Sequence, residues 1–201
     1  MDDETSQTKT VYVCGPLTEL PPLDQARVKK LYERIGDLCR ETLGHRAFVP
    51  HEHYDPIKHA NFTPQQVDAG ERKQVCELTS HLVVVAEMAS WGGGIEVEMA
   101  NRHGVPAIVL VPLGKRTSRL LLGNPTVMIV YYYKDEEDAL SWLGDALLYT
   151  SVMQRAKESL AEHFAAIAPP TPEAIAEDIR KRLNGEPQNP ATAAPHTPDG
   201  F

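Results

Sequence analysis

The segment Ser90-Trp-Gly-Gly-Gly-Ile-Glu96-Val-Glu-Met-Ala100 concentrates residue types that do chemistry. The run Gly92, Gly93, Gly94 lets backbone approach a ligand closely and tolerates positive φ. It leads into a helix expected from about Gly94 to His103, whose free amides and dipole favour negative charge. Glu96 falls in the first turn of that expected helix, where the dipole would keep a carboxylate ionised, as a nucleophile requires. A first-turn Glu is also what a helix uses simply to complement its own dipole. Glu98 lies two residues on, roughly 200° around the helix, so the two carboxylates cannot share one pocket.

A second chemical segment is His51–Thr63, HEHYDPIKHANFT, which has no hydrophobic period and is rich in His and aromatic residues. A loop of this length inside a domain is usually functional or disordered. His51, His53 and His59 with Glu52 and Asp55 are metal-ligating types, but they lack helical H-x-x-x-H spacing and a cysteine pair. Substrate contact by His51 and Asp55 is the better expectation, and neither a metal nor a cofactor is called for. Trp91 offers a face for a base or ribose, and equally a packed aromatic beside the turn.

These residues need a scaffold. TVYVC over Thr10–Cys14 reads as a buried strand running into Gly15-Pro16. A long helix is expected from about Leu23 to Leu43, with Leu31, Ile35, Leu38 and Cys39 on one stripe. A short strand is expected at Ala47–Val49, and a helix opened by Thr63-Pro64. Strands His81–Glu87, Ala107–Val111 and Val127–Tyr133 follow, with a helical pattern from Glu136 to about Ala166. This alternation predicts a three-layer α/β sandwich, Rossmann-like or flavodoxin-like, with a mostly parallel five-stranded sheet. Ligands of such sheets bind at the carboxyl ends of the strands. There the sequence places Cys14–Thr18, His51–Asp55 and Ser90–Glu96.

Two blocks resemble the nucleoside 2-deoxyribosyltransferase family: Tyr12-Val-Cys-Gly15-Pro16 at the first strand end, and Ser90 to Ala100, which is similar to that family's S-x-G-x-G-x-E-x-x-x-A signature. The resemblance covers about residues 10–112. It implies that Glu96 attacks the anomeric carbon of a nucleoside or nucleotide, with water or a second base resolving a glycosyl ester. It also implies an assisting acid on the helix before the third strand, where Glu71 stands in place of the usual Asp. Where family members bind a 5′-monophosphate through Ser and Arg after the first strand, this chain has Pro16-Leu17-Thr18. Ser90 matches a serine that reaches a phosphate, and also suits a helix cap. The resemblance further implies a homodimer or larger homo-oligomer. Two alternatives stand beside it: a nucleotide-sensing module without turnover, and a TIR-like NAD glycohydrolase, which a roomier pocket would favour.

The net charge of -8 argues against a polymeric nucleic-acid partner, which needs clustered Lys and Arg. No run reaches the ~20 apolar residues of a membrane span. Cys14, Cys39 and Cys76 have no metal-like spacing and read as buried free thiols, consistent with a cytoplasmic setting. The expected organisation is a flexible start over 1–9, the α/β domain over 10–166, a linker with a short helix over 167–184, and a disordered tail over 185–201.

Overall fold

The computed structural model describes residues 9–167 and, beyond them, 171, 173, 176, 177, 180 and 181. All but residue 9 of the expected flexible start over 1–9, and the tail over 185–201, lie outside the described residues, as does most of the expected helix at 172–183. The chain divides into two compact units, 1–153 and 154–201. Among the described residues no helix is long and apolar enough to cross a membrane.

The elements in chain order are β1 (Thr10–Cys14), α1 (Pro22–Leu43), α2 (Pro50–Tyr54), α3 (Pro64–Glu77) and β2 (Thr79–Val85). Then come α4 (Trp91–Arg102), β3 (Ala107–Pro112), α5 (Arg119–Leu122), β4 (Val127–Tyr133) and α6 (Glu136–Ile167). The strands form one parallel sheet in the order β1-β2-β3-β4. It has four strands, not five: the expected strand at Ala47–Val49 is a single parallel bridge between Tyr12 and Phe48. Pro50 lacks the N–H that would continue the ladder, and it opens α2 instead.

Because strand side chains alternate, each strand feeds both faces of the sheet. Val11, Val13, Val83, Val85, Ile108 and Leu110 pack with Leu31 and Ile35 of α1 and Leu143 and Leu147 of α6. Their neighbours Tyr12, Cys14, Leu82, Val84 and Val109 pack with Val75 of α3 and Val97 and Ala100 of α4. Near-continuous apolar strands are what burial on both faces demands, and each such side chain contributes roughly 1.5–3 kcal/mol. Local signals set the helix starts. Thr63 and Gln66 form a reciprocal capping box ahead of Pro64, as the Thr63-Pro64 pair predicts. Of the three thiols, Cys14 and Cys39 are buried as expected, whereas Cys76 is only partly so.

Gly15 is a constraint of a different kind. A Cβ there would collide with the Tyr32 hydroxyl and come within 3.0 Å of the Val85 carbonyl oxygen. The Tyr32 hydroxyl donates to the Pro16 carbonyl at 2.8 Å, fixing the turn that leaves β1. Gly15→Ala should therefore cost on the order of 2 kcal/mol in urea unfolding. Adding Tyr32→Phe should restore part of that loss, a less-than-additive double-mutant cycle.

Candidate active site

The site is built on the junction of β1 and α4. Ser90 is extended (φ -135, ψ 127) and its Oγ accepts from the Gly93 N–H at 3.2 Å, so α4 starts at Trp91. This corrects the expected start at Gly94, because the serine cap carries the glycines into the helix. Glu96 consequently sits in the second turn, beyond the reach of most of the dipole effect. Gly93 permits the approach: a Cβ there would stand 3.2 Å from Cys14 Sγ. The helix thereby seats Glu96, only 8% exposed, against the end of β1.

Tyr12 and Cys14, two apart on β1, point to this same side. The Tyr12 hydroxyl donates to Glu96 Oε1 at 2.9 Å, while the Cys14 thiol donates to the Gly93 carbonyl at 3.6 Å. Burial pushes the Glu96 carboxyl above its ordinary value, opposed by the neighbouring Cys14 thiol and the Tyr12 hydroxyl. The Tyr12 hydroxyl, with the thiol beside it, and not the dipole expected from sequence, favours the anion. Burial and the Glu96 charge in turn hold the Tyr12 and Cys14 protons on. Glu98 turns away as its spacing predicts, engaged by Arg102 at 2.9 Å and by Asn101 and Asn124.

A cleft of about 550 Å³ brings together Glu96, Glu71, Gly15, His51, Ser90 and Gly92. Glu71 reaches it from α3. Burial first, then the charges of Glu96 and Asp68, push its carboxyl up to about 7. The cleft thus holds one carboxylate braced by donors and one carboxyl group poised to keep or release a proton at neutral pH. Pro16, Trp91 and Gly94 do not line this cleft; they line a second cavity on the other flank of the α4 start.

Asp55 is not among the lining residues. It is 1% exposed, and its carboxylate accepts from Lys29 Nζ at 2.5 Å and from the Ile57 and Lys58 N–H groups. The Lys29 contact first, with these amides, holds it well below the usual carboxylate range. Its work is to shape the loop. That loop also sets His59, whose Nδ1 accepts from the Asp55 N–H at 3.0 Å. The neutral His59 ring then carries its proton on Nε2. His53 stacks on Phe48 at 4.3 Å, and His51 Nε2 lies 3.2 Å from Glu33 Oε1. Among the described residues no three His, Cys, Asp or Glu side chains converge on a metal position.

Sequence reasoning missed the aromatic wall of the cleft. Tyr54 and Phe62 meet edge to face at 5.5 Å and both line it. Gly70 of α3 makes room for Tyr54, since a Cβ there would strike its hydroxyl. The aromatic density of His51–Thr63 was the available signal.

No protein-family model matches the sequence, and no curated protein matches it. Solved structures do share its fold. The solution structure of BlsM is 19% identical, over 72% of this chain and 92% of that chain, with a TM-score of 0.52. The CMP N-glycosidase BcmB of Clostridium botulinum is 17% identical over 67% of this chain and 97% of that one, with a TM-score of 0.48. A 2-deoxyribosyltransferase of the psychrotolerant bacterium Bacillus psychrosaccharolyticus is 16% identical over 65% and 90%, with a TM-score of 0.48. In class the chain is a parallel α/β domain, and it resembles nucleoside 2-deoxyribosyltransferase-like proteins. At these identities the likeness extends to the fold alone.

A raised Glu71 carboxyl makes a stability prediction. Below about pH 4.5 the group is neutral folded and unfolded. Above about 7 it is ionised in both, and only the folded state bears the burial penalty. Glu71→Gln should therefore stabilise the protein at pH 8, by roughly 1–3 kcal/mol, and have little effect at pH 4. Thermal melts across that range read this directly.

Proposed function

We propose that this protein cleaves the N-glycosidic bond of a nucleoside or nucleotide, with Glu96 as nucleophile and Glu71 as acid and base. The observation that supports this reading is the placement of two carboxyl groups of unequal proton affinity in one cleft. Retaining glycosidases divide labour in this way. Glu96 attacks C1′ through a carboxylate oxygen as the C1′–N bond breaks. The bond's electron pair leaves with the base, which takes the Glu71 proton. Water, with Glu71 now accepting its proton, attacks C1′ and returns the ester electron pair to Glu96. A second base resolves the ester in the same manner, giving transfer in place of hydrolysis.

The remaining residues fit supporting roles in this scheme. Tyr12 holds Glu96 in line and gives back part of the charge stabilisation lost by burial. Tyr54 and Phe62 offer ring faces to the departing base, with His51 and His59 as polar contacts around it. Ser90 and the amides of Gly92 suit the sugar's oxygens. Homo-oligomeric assembly and a cytoplasmic setting belong to the same proposal. The exposed Leu148 and Tyr149 on α6 are the residues we assign to a subunit contact.

Glu96→Ala should lower base release from a nucleoside and nucleotide panel by at least ~10³-fold, measured by liquid chromatography. In the wild type, the rate should fall above about pH 7 as Glu71 loses its proton. On the acid side it should fall as Glu96, raised by burial, gains one. Glu71→Gln should lose ~10²–10⁴-fold and with it the alkaline limb. A profile flat from pH 5 to 9 would remove Glu71 from the scheme.

A further inference from the structure

The second cavity, about 660 Å³, opens on the opposite flank of the α4 start, and Gly15, Ser90 and Gly93 line both spaces. We propose that it holds a second nucleoside joined to the first through its 5′ phosphates, so that the substrate is a dinucleotide straddling the start of α4. This rests on the glycosidic reading of Glu96. In a nucleoside the base at C1′ and the 5′ carbon at C4′ project from opposite sides of the ring oxygen. With C1′ over Glu96 and the base toward Tyr54 and Phe62, the 5′ carbon points to the ridge of Gly15, Ser90 and Gly93. Whatever is attached there enters the second cavity.

Three observations independent of the catalytic scheme suit that occupant. The first is charge. The chain carries -8 overall, yet no Asp or Glu occurs between Glu98 and Asp135, while Lys115, Arg116 and Arg119 cluster after β3. Arg116 lines the cavity together with Glu98, whose carboxylate is engaged by Arg102, Asn101 and Asn124, and Arg116 has no ion-pair partner among the described residues. Phosphates crossing the ridge would meet this guanidinium and the amides of Trp91 and Gly92.

The second is exposed aromatic surface at the edge of a mostly apolar space. Trp91, on the rim, is 90% exposed and presents a ring on which a base can stack.

The third is glycine usage. A Cβ at Gly93 would crowd Cys14 Sγ at 3.2 Å, but one at Gly94 would meet nothing within 4 Å and one at Gly92 only Ser90 Oγ at 4.0 Å. The protein's own packing does not demand glycine at these two helical positions, where Ala is the better helix former. A ligand lying on the backbone does demand it.

The test uses the full chain with NAD, nicotinamide mononucleotide and nicotinamide riboside, and with diadenosine pyrophosphate, AMP and adenosine. Base release and calorimetric binding are measured for wild type, Arg116→Glu, Ala89→Trp and Gly94→Ala. The expected result is a dinucleotide kcat/KM at least tenfold above that of the matching nucleoside, with the ratio collapsing in Arg116→Glu and Ala89→Trp. Gly94→Ala should raise Tm while weakening dinucleotide binding, a combination that damage to the fold does not produce. Base release from nucleoside and dinucleotide alike, with a ratio no variant moves, would overturn the inference and leave the glycosidic reading standing. If no compound releases base, tighter dinucleotide binding that Arg116→Glu abolishes keeps the second cavity and removes the glycosidic chemistry. Equal binding throughout then overturns both.

Discussion

Burying the Glu96 carboxylate at the junction of two apolar layers costs several kcal/mol unless the charge is met. The fold meets it from below. Tyr12 reaches it at 2.9 Å from the floor of the sheet, and the Cys14 thiol lies beside it. A hydrogen bond to a charged group contributes about 1.5–3 kcal/mol, which offsets part of the cost. The remainder appears as a carboxyl group of raised proton affinity. In the proposed chemistry, an ionised yet poorly solvated Glu96 is reactive for that reason, since water does not have to be stripped from it. The position of β1, the start of α4 and the glycine at 93 all follow from keeping this one group dry and braced.

The same constraint explains Glu71. It shares the cleft with a buried negative charge, and its carboxyl moves to about 7 through burial and the charge of Glu96. One carboxylate thereby tunes the other, which gives the unequal proton affinities that the proposed nucleophile and acid require. The strand parity of β1 is central here. Val11 and Val13 face α1 and α6, while Tyr12 and Cys14 face α4, so a one-residue slip in register would put valine against Glu96.

Much of this was legible in the residues. The apolar runs at Thr10–Cys14 and His81–Glu87 read as buried strands, the second forming over Thr79–Val85, and Thr63-Pro64 announced α3 with its cap. The glycine run misled: it reads as loop by propensity, whereas the Ser90 cap draws it into helix and moves Glu96 one turn inward. Ala47–Val49 has strand composition, but Pro50 stops the ladder after one bridge. Asp55 has the type of a ligand-binding residue and is held instead by Lys29 and two loop amides, a pairing across 26 positions that no local pattern encodes. The environment that lifts Glu71 is equally non-local, since α3 and α4 meet only through the fold.

Formation of a covalent bond at Glu96 is the claim on which the account stands. The direct measurement is intact-protein and peptide mass spectrometry after incubation with 2-fluoro-substituted nucleosides and nucleotides, which slow hydrolysis of a glycosyl ester more than its formation. An added sugar mass is expected on the peptide containing Glu96, absent in Glu96→Ala, with one equivalent of base released. Base release without any adduct, or an adduct on a different residue, would contradict it.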